Sequence, residues 1–290
     1  MNEARISTTA RGLASQSPGI VLYTVTLAGQ LFAAIARALI ASVVLEIVGL
    51  LTGWTIPVNA ISLAVGFAPL AVSLLSVLCP PLVAPIDGRW WEMSQGGRAP
   101  EQDEREAFQR AFNELQAVDP TLRPPRHWFV AEEPACNASA YASSLCVNRG
   151  LLESPYAAAV IAHEMGHLRS SDTHLTSALS LLLIRPMTTP GLYPLWSLPF
   201  RCLGWVASGQ AVFWFTGNTW EMYWRTREFA ADEYAARLGQ AHALAQSLTR
   251  ESLPHERPIP HMRFSRATHP YTKPRIARLQ AHPTPPPGEH

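Results

Sequence analysis

Two histidines four residues apart, with a glutamate directly after the first, form the pattern in this 290-residue chain that most clearly indicates chemistry. They lie in the segment His163-Glu164-Met165-Gly166-His167. Residues i and i+4 of a helix share one face, so both imidazoles can hold the same Zn²⁺. Glu164 beside them can accept a proton from water at the metal. The spacing therefore predicts metal-assisted hydrolysis of a carbonyl compound.

The sequence around this pattern predicts a buried helix. Ser154 is a suitable N-cap, Pro155 suits the first helical position, and residues Tyr156–Arg169 are rich in alanine, valine and isoleucine. Ionisable side chains buried there would be costly without a partner such as a metal. The competing interpretation is a helix with two surface histidines and a solvated glutamate, and the apolar flanks argue against it.

A zinc hydrolase needs a third protein ligand and leaves one position open. Glu228 is the candidate, because it lies in a second helical pattern whose alanines permit close packing. Asp232 shares its helical face at i+4 and can accept the outer N–H of a ligand histidine. This segment by itself could be an ordinary charged amphipathic helix. The histidine pattern elsewhere in the chain favours Glu228 as a zinc ligand.

Four sequence blocks, in this order, resemble the membrane-bound zinc metallopeptidase family of the HtpX heat-shock protease and the CAAX prenyl protease. They are Asn137-Ala138 followed by Arg149-Gly150-Leu151-Leu152, the segment from His163 to His167, Glu228-Phe229-Ala230-Ala231-Asp232, and His269-Pro270 with Arg275-Ile276. Together the blocks are more specific than the histidine pattern alone. Chain length and two apolar runs ahead of the catalytic helix make HtpX the nearer of the two.

The resemblance implies a role for each matching residue. One Zn²⁺ per chain would be held by His163, His167 and Glu228, with Glu164 as general base and Asp232 behind the ligands. His269 and Arg275 would stabilise the oxyanion, and the strand with Asn137, Ala138 and Ser139 would bind the substrate backbone. A surface turn before the final helix is the alternative for His269 and Arg275.

The composition indicates membrane segments. Charged residues make up 16% of the chain and apolar residues 48%, whereas soluble domains carry about a quarter charged residues. Between residues 20 and 85 only Arg37 and Glu46 are charged. The net charge of +1 argues against a nucleic-acid-binding protein, which needs a basic surface.

Two membrane-spanning helices are predicted within residues 20–85. The first apolar run, 20–51, would form a helix of about 48 Å, which exceeds a bilayer core of about 30 Å, so part of it must leave the lipid. Arg37 is then expected to extend to the interface, and Glu46 to face other helices or a partner. Arginines at positions 5, 11, 89 and 98 flank the pair, which favours a cytoplasmic catalytic domain at the inner or plasma membrane.

The predicted fold is mainly α with a small β element (α+β), in a multi-pass membrane protein with a gluzincin-like zinc peptidase domain. The expected order is a polar N-terminal segment (1–19), two transmembrane helices (20–85), the metallopeptidase domain (86–281) and a disordered, proline-rich tail (282–290). An apolar insertion at about 175–220 is expected to associate with the membrane, as two further spans or as a re-entrant hairpin. Short strands are predicted at His127–Ala131 and Ala140–Val147.

These features predict an integral membrane zinc endopeptidase that cleaves membrane or misfolded polypeptides. Its expected partners are a polypeptide substrate and the lipid bilayer, and no nucleic acid. One alternative is a CAAX-type prenyl-protein protease, and another is a non-catalytic membrane scaffold with a vestigial or structural zinc site. The scaffold has less support, because structural zinc sites have four protein ligands and no fourth is evident in the sequence.

Overall fold

The computed structural model describes residues 2–55, 57–170, 172–182, 210–251 and 272–282. Within them the helices are α1 (Asn2–Thr52), α2 (Val58–Leu78), α3 (Pro80–Ser94), α4 (Gln102–Val118), α5 (Arg149–Leu152), α6 (Ala157–Ser170), α7 (Asp172–Leu182), α8 (Gln210–Arg237), α9 (Ala241–Glu251) and α10 (Thr272–Gln280). The strands are β1 (His127–Ala131), β2 (Ala138–Tyr141) and β3 (Ser144–Asn148). The chain is mostly helical with a small three-stranded sheet, which confirms the predicted class.

The chain divides into two compact units. The first contains Met1–Val83 and His174–Trp220, and the second contains Ala84–Thr173 and Glu221–His290. The described residues of the predicted site all belong to the second unit. Residues 183–209 of the predicted insertion and 283–290 of the predicted tail lie outside the described residues.

In the first unit, α1 and α2 pack closely through small side chains. A Cβ on Gly66 of α2 would lie 2.6 Å from the carbonyl oxygen of Ala34 and 2.7 Å from the Cβ of Ala38. The hydroxyls of Tyr23 and Ser73 form a hydrogen bond of 2.6 Å between the two helices. Small residues and side-chain hydrogen bonds are typical of helix pairs in membranes.

Residues Gly19–Thr52 of α1 and the whole of α2 are long and apolar enough to cross a membrane. Large apolar side chains cover the outer surface: Val21, Phe32 and Leu39 of α1 are 63, 75 and 63% exposed. Core helices of soluble proteins and signal sequences can meet the same criterion, so these two helices are a weak indication of membrane association.

Helix α1 begins at Asn2, whereas the apolar run predicts a start near residue 20. The polar segment before residue 20 contains three alanines and two arginines, which are good helix formers. Once the apolar part has formed a helix, adding further turns costs little, because nucleation is the unfavourable step. The segment predicted as 1–19 is therefore a continuation of the first helix.

Arg37 departs from its predicted position at the membrane interface. Its side chain is only 6% exposed, and Nε and Nη2 donate to the carbonyl of Gly66 at 3.2 and 3.0 Å. A backbone acceptor inside the helix pair replaces the water that a snorkelling arginine would reach. Glu46 is exposed on α1, so it does not face the other helix of the pair. Contact with a partner stays the prediction for this residue.

The sheet of the second unit has the strand order β1-β3-β2, with β1 parallel and β2 antiparallel to β3. The sequence predicts a single strand at Ala140–Val147, where the structure has a hairpin with a two-residue turn at Ala142 and Ser143. Ala142 has a φ of 53°, a conformation that suits the first position of such a turn and that alanine seldom adopts. Neither turn residue is glycine or asparagine, so the turn carries no strong sequence signal.

The two outer edges of the sheet differ. Arg98 exchanges backbone hydrogen bonds of 2.9 Å with Val130, which covers the edge of β1. The Arg98 guanidinium also binds both carboxylate oxygens of Glu104 at 2.7 Å and holds the pKa of that carboxyl below its ordinary value. Within the described residues, no strand or bridge pairs with the outer side of β2. Strand β2 is the open edge.

The core of the second unit packs α4 and α6 against the sheet. Phe108, Phe112 and Leu115 share one face of α4, because they are spaced i, i+4 and i+7, and they are 3, 1 and 0% exposed. They belong to one cluster with Leu145 of β3 and Ile161 of α6. This cluster fixes the orientation of α6 and therefore of the histidines that α6 carries.

Candidate metal centre

Helix α6 brings His163 and His167 together on one face. Helix α6 begins at Ala157, two residues later than Pro155, the predicted first helical residue. Oγ of Ser154 accepts a hydrogen bond of 3.2 Å from the N–H of Tyr156 in the turn before the helix. The two imidazole rings have centroids 4.9 Å apart and are nearly perpendicular, at 85°. Both rings thus reach the same side of the helix.

Glu228 of α8 completes a group of three ligand side chains. Its carboxylate oxygens lie 3.2 Å from Nε2 of His167 and 3.5 Å from Nε2 of His163. One ligand atom from each residue lies within 4.8 Å of the other two, and His163 and Glu228 are each only 6% exposed. Two imidazoles and a carboxylate are a ligand set of zinc hydrolases, which keep a fourth position for water or substrate. The group fits a catalytic zinc ion.

Asp232, one helical turn after Glu228, orients His163. Its Oδ1 accepts a hydrogen bond of 2.9 Å from Nδ1 of His163, which leaves Nε2 of the neutral ring as the atom with a lone pair. Burial alone would raise the pKa of Asp232, but the bonds from Arg275 and His163 outweigh that effect and lower the pKa. The carboxylate is therefore ionised at neutral pH.

Arg275 of α10 lies behind the ligands. Its Nε and Nη2 donate to Oδ2 and Oδ1 of Asp232 at 2.8 and 2.7 Å, and Nη1 lies 3.0 Å from Oε2 of Glu228. Burial opposes the charge of this arginine, but the neighbouring carboxylates outweigh it and raise the pKa. The resemblance implies an oxyanion role for Arg275, whereas these contacts join its guanidinium to two carboxylates of the site.

Gly166, inside the histidine pattern, sets the distance between α6 and α8. A Cβ at this position would lie 2.9 Å from Cα of Ala231 and 3.2 Å from its Cβ. Ala231 is 2% exposed, so little space remains on its side of the contact. The two backbones can therefore approach closely enough for ligands from both helices to meet. The alanines of α8 are visible as a pattern in the sequence, whereas a single glycine inside the histidine pattern gives no such signal.

We expect Gly166→Val to lower the melting temperature and the zinc affinity together. The larger side chain would force α6 and α8 apart, and such overpacking costs about 1–3 kcal/mol. Gly166→Ala is the matched control, with a smaller effect because it adds only one methyl group. Thermal unfolding and zinc titration measure the two quantities, and a valine variant like wild type in both would contradict the role of this contact.

The sequence profile of Peptidase family M48 matches residues 102–282, more than half of the chain. The chain belongs to peptidase family M48. A search among curated proteins finds no match. M48 peptidases are zinc metallopeptidases that act on polypeptides, and the matched range contains the group His163, His167 and Glu228.

In this M48 peptidase, the predicted general base lies next to the ligands. Glu164 follows His163 on α6 and is 9% exposed. Its charge acts on Arg275 and on the buried thiol of Cys146, which indicates that it lies near both. His269, the other predicted oxyanion residue, lies outside the described residues.

The predicted substrate-binding residues lie at the start of the open edge strand. Ala138 and Ser139 begin β2, and Asn137 directly precedes it. The side-chain oxygen of Asn137 accepts a hydrogen bond of 2.9 Å from the N–H of Ala138. Strand β2 packs against α6, so this edge of the M48 domain lies beside the helix with the histidines.

We expect Asp232→Asn to lower both zinc affinity and kcat/KM by about 10–100-fold, the usual effect of losing a carboxylate that orients a ligand histidine. The neutral amide is a weaker acceptor for His163 and removes one of the charges paired with Arg275. Glu233→Gln is the control, because Glu233 is the next residue and its side chain is 55% exposed. Competition with a zinc chelator measures the affinity, and an unchanged value would reject the orienting role.

Proposed function

We propose that this M48 peptidase is an integral membrane zinc endopeptidase of the HtpX type that cleaves membrane or misfolded polypeptides. The observation that carries the proposal is the convergence of His163, His167 and Glu228 in the second unit. The family match and the two apolar helices that precede this unit in the sequence support it further. One Zn²⁺ per chain is part of the proposal.

The proposed chemistry assigns a proton transfer to α6. Zn²⁺ held by His163, His167 and Glu228 would polarise the scissile carbonyl and lower the pKa of water in its open position. Glu164 takes a proton from the attacking water and gives it to the leaving amine. Its 9% exposure supports this role, because few solvent molecules can compete for the proton.

Arg275 has a positioning role in this proposal rather than contact with the oxyanion. Its guanidinium joins the carboxylates of Asp232 and Glu228, and through Asp232 it fixes the ring of His163. A cation held in this way stabilises two adjacent buried carboxylates that would otherwise repel each other. The oxyanion role is then assigned to His269, which matches the family motif.

The proposed substrate site is the outer edge of β2. In an antiparallel hairpin, opposite residues of the two strands alternate between pairs that share backbone hydrogen bonds and pairs that do not. Tyr141 and Ser144 close the turn as a bonded pair, so Ser139 also bonds to β3 while Ala138 and Ala140 direct their backbone groups outward. The N–H of Ala138 already donates to Oδ1 of Asn137, so an extended peptide would pair with the carbonyl of Ala138 and with the N–H and carbonyl of Ala140, without a requirement for particular side chains.

The proposed domain organisation has an anchor, a peptidase domain and a membrane-associated insertion. Helices α1 and α2 anchor the chain, residues 86–281 form the metallopeptidase domain, and the insertion at 175–220 adds contact with the membrane. The arginines at positions 5, 11, 89 and 98 support a cytoplasmic catalytic domain at the inner or plasma membrane.

A prenyl-protein protease would use the same zinc group and would differ in its substrate. It should cleave a prenylated CAAX peptide with a higher kcat/KM than the unmodified peptide, and we expect no such preference here. A scaffold with a structural zinc has less support, because the group of ligands in the described residues has three members and structural sites have four.

Zinc analysis and cleavage of an unfolded polypeptide by detergent-purified protein test the proposal. We expect one zinc per chain, cleavage of reduced casein, loss of cleavage after chelation, and recovery when one equivalent of zinc is returned. Absence of zinc from the purified protein would reject the metal site. One zinc without cleavage of any polypeptide would favour the scaffold.

A further inference from the structure

Helix α3 has a continuous apolar stripe on its exposed side. Its members are 62, 72, 44 and 72% exposed, in the order Leu82, Ile86, Trp90 and Met93. With 3.6 residues per turn they lie within an arc of about 80° and extend over about 17 Å of the helix. Arg89 is exposed about 20° outside this arc, next to Leu82. Single exposed apolar residues are ordinary, whereas a stripe of this length marks an interaction surface.

The opposite side of α3 is packed on the catalytic sheet. Trp91 is 7% exposed, and its ring centroid lies 5.1 Å from that of Phe129 and 5.3 Å from that of Tyr141. A Cβ on Gly88 would collide with Oγ of Ser144, so the helix backbone lies directly on β3. The sheet therefore holds α3 with the apolar stripe outward.

Helix α4 shows the character of a water-facing helix surface in the same unit. Its exposed residues are mainly charged or polar, among them Arg105, Glu106, Gln109, Arg110 and Asn113. The exposed stripe of α3 has four large apolar residues, with one charged residue, Arg89, at its edge. This contrast argues that α3 faces something other than water.

The short connection between α2 and α3 indicates which environment surrounds the apolar stripe of α3. Helix α2 ends at Leu78 and α3 begins at Pro80, so one residue separates them. If α2 crosses a bilayer, as proposed above, α3 begins at the membrane surface. A helix running straight away from that surface would carry Met93 about 20 Å into water. A helix lying along the surface places the whole stripe at the boundary between headgroups and acyl chains.

Two side chains of α3 suit that boundary in particular. Trp90 has the amphipathic ring that is enriched at membrane interfaces. Arg89 can extend to lipid phosphates while its aliphatic part stays on the apolar side. A helix with a tryptophan, large aliphatic residues and an arginine on its outer surface has the features of an interfacial membrane helix.

We propose that α3 lies in the plane of the membrane interface, with its apolar stripe in the lipid and Arg89 at the headgroup phosphates. Because α3 also carries the sheet, this arrangement brings the catalytic sheet to the bilayer surface. The substrate class is then a polypeptide segment at or just outside that surface. The inference rests on the proposed anchoring by α1 and α2 and narrows the substrates of the proposed peptidase.

The full chain in vesicles of phosphatidylcholine and phosphatidylglycerol provides the test. An environment-sensitive fluorescent amino acid replaces Met93 in one protein and Gln109 of α4 in a matched control. We expect lipids brominated on the acyl chains to quench the probe at Met93 at least threefold more than the probe at Gln109. Iodide in the water should show the opposite order.

A second variant tests the stripe itself. Ile86→Asp, combined with the probe at Met93, should reduce quenching by brominated lipid to half or less, because a carboxylate opposes insertion. Equal quenching by iodide at the two probe positions would overturn the proposal. Quenching by neither agent at Met93 would also overturn it, because another part of the protein or a second copy would then cover the stripe.

Two further measurements separate this inference from the proposals on which it rests. Retention of the chain in vesicles after alkaline washing reports the anchoring. Zinc content and casein cleavage of the same labelled proteins in detergent report the peptidase. Retained and active protein without quenching by brominated lipid would reject the interfacial position of α3 alone.

Discussion

Replacing Glu164 by glutamine is expected to reduce kcat for polypeptide cleavage by about 10²–10⁴-fold, the usual contribution of a general base. Glutamine has nearly the size of glutamate but cannot take up the proton of the attacking water. The loss corresponds to about 3–6 kcal/mol in the activation barrier, at about 1.4 kcal/mol for each tenfold change. Among the substitutions considered for α6, this one separates chemistry from metal binding.

Zinc binding should be unchanged in the Glu164→Gln protein. Glu164 is not a member of the ligand group, which consists of His163, His167 and Glu228. The variant should therefore contain one zinc per chain by mass spectrometry and have a KM near that of wild type. Normal turnover would reject Glu164 as the base, and loss of zinc would show that it supports the ligands instead.

A matched control removes an exposed carboxylate in the same way. Glu233→Gln changes a side chain on α8 that is 55% exposed, and it should leave kcat unaltered. If both glutamine variants lost activity equally, a general effect of charge on the substrate would explain the result. A loss confined to Glu164→Gln would support the assignment of the proton transfer to α6.

The local part of the site could be predicted from the sequence, because helix geometry determines it. A spacing of four residues places His163 beside His167 whatever the rest of the chain does, and the same holds for Glu228 and Asp232. The meeting of these two pairs is a long-range event. It depends on the close approach of α6 and α8 at Gly166, which no spacing along the chain predicts.

Arg275 shows why the remaining partners could not be predicted in the same way. It is separated from Asp232 by 43 residues and from His163 by 112. A cation near several carboxylates can pair with any of them, and only the packing of α10 decides which. The resemblance implied contact with the substrate, whereas the structure has the guanidinium bonded to Asp232 and close to Glu228.

The fold was predictable where the pattern of apolar residues reports burial. The face of α4 with Phe108 and Leu115 is such a case, since it alternates with charged residues. In α3 large apolar residues occur on the packed and on the exposed side, as Trp91 and Ile86 illustrate. The periodicity of apolar residues cannot tell which side of α3 the sheet covers and which side is exposed.

Glu228→Ala is expected to abolish zinc binding under conditions in which the wild type holds one zinc per chain. The substitution removes one of three protein ligands, and it should weaken binding by more than the 10–100-fold typical of residues behind the ligands. It also removes the carboxylate that lies 3.0 Å from Nη1 of Arg275, which leaves a buried cation with less compensating charge. Cleavage should be lost with the metal.

The decisive comparison is between Glu228→Ala and Glu233→Ala, five residues apart on the same helix. Both replace glutamate by alanine, so they share the change in helix propensity and in formal charge. Only Glu228 is buried beside the histidines, whereas the Glu233 side chain is 55% exposed. We expect one zinc per chain and full cleavage for Glu233→Ala. A Glu228→Ala protein that kept tightly bound zinc would assign the third ligand to another residue, and the pairing of Arg275 with Glu228 would then have to serve stability instead of metal binding.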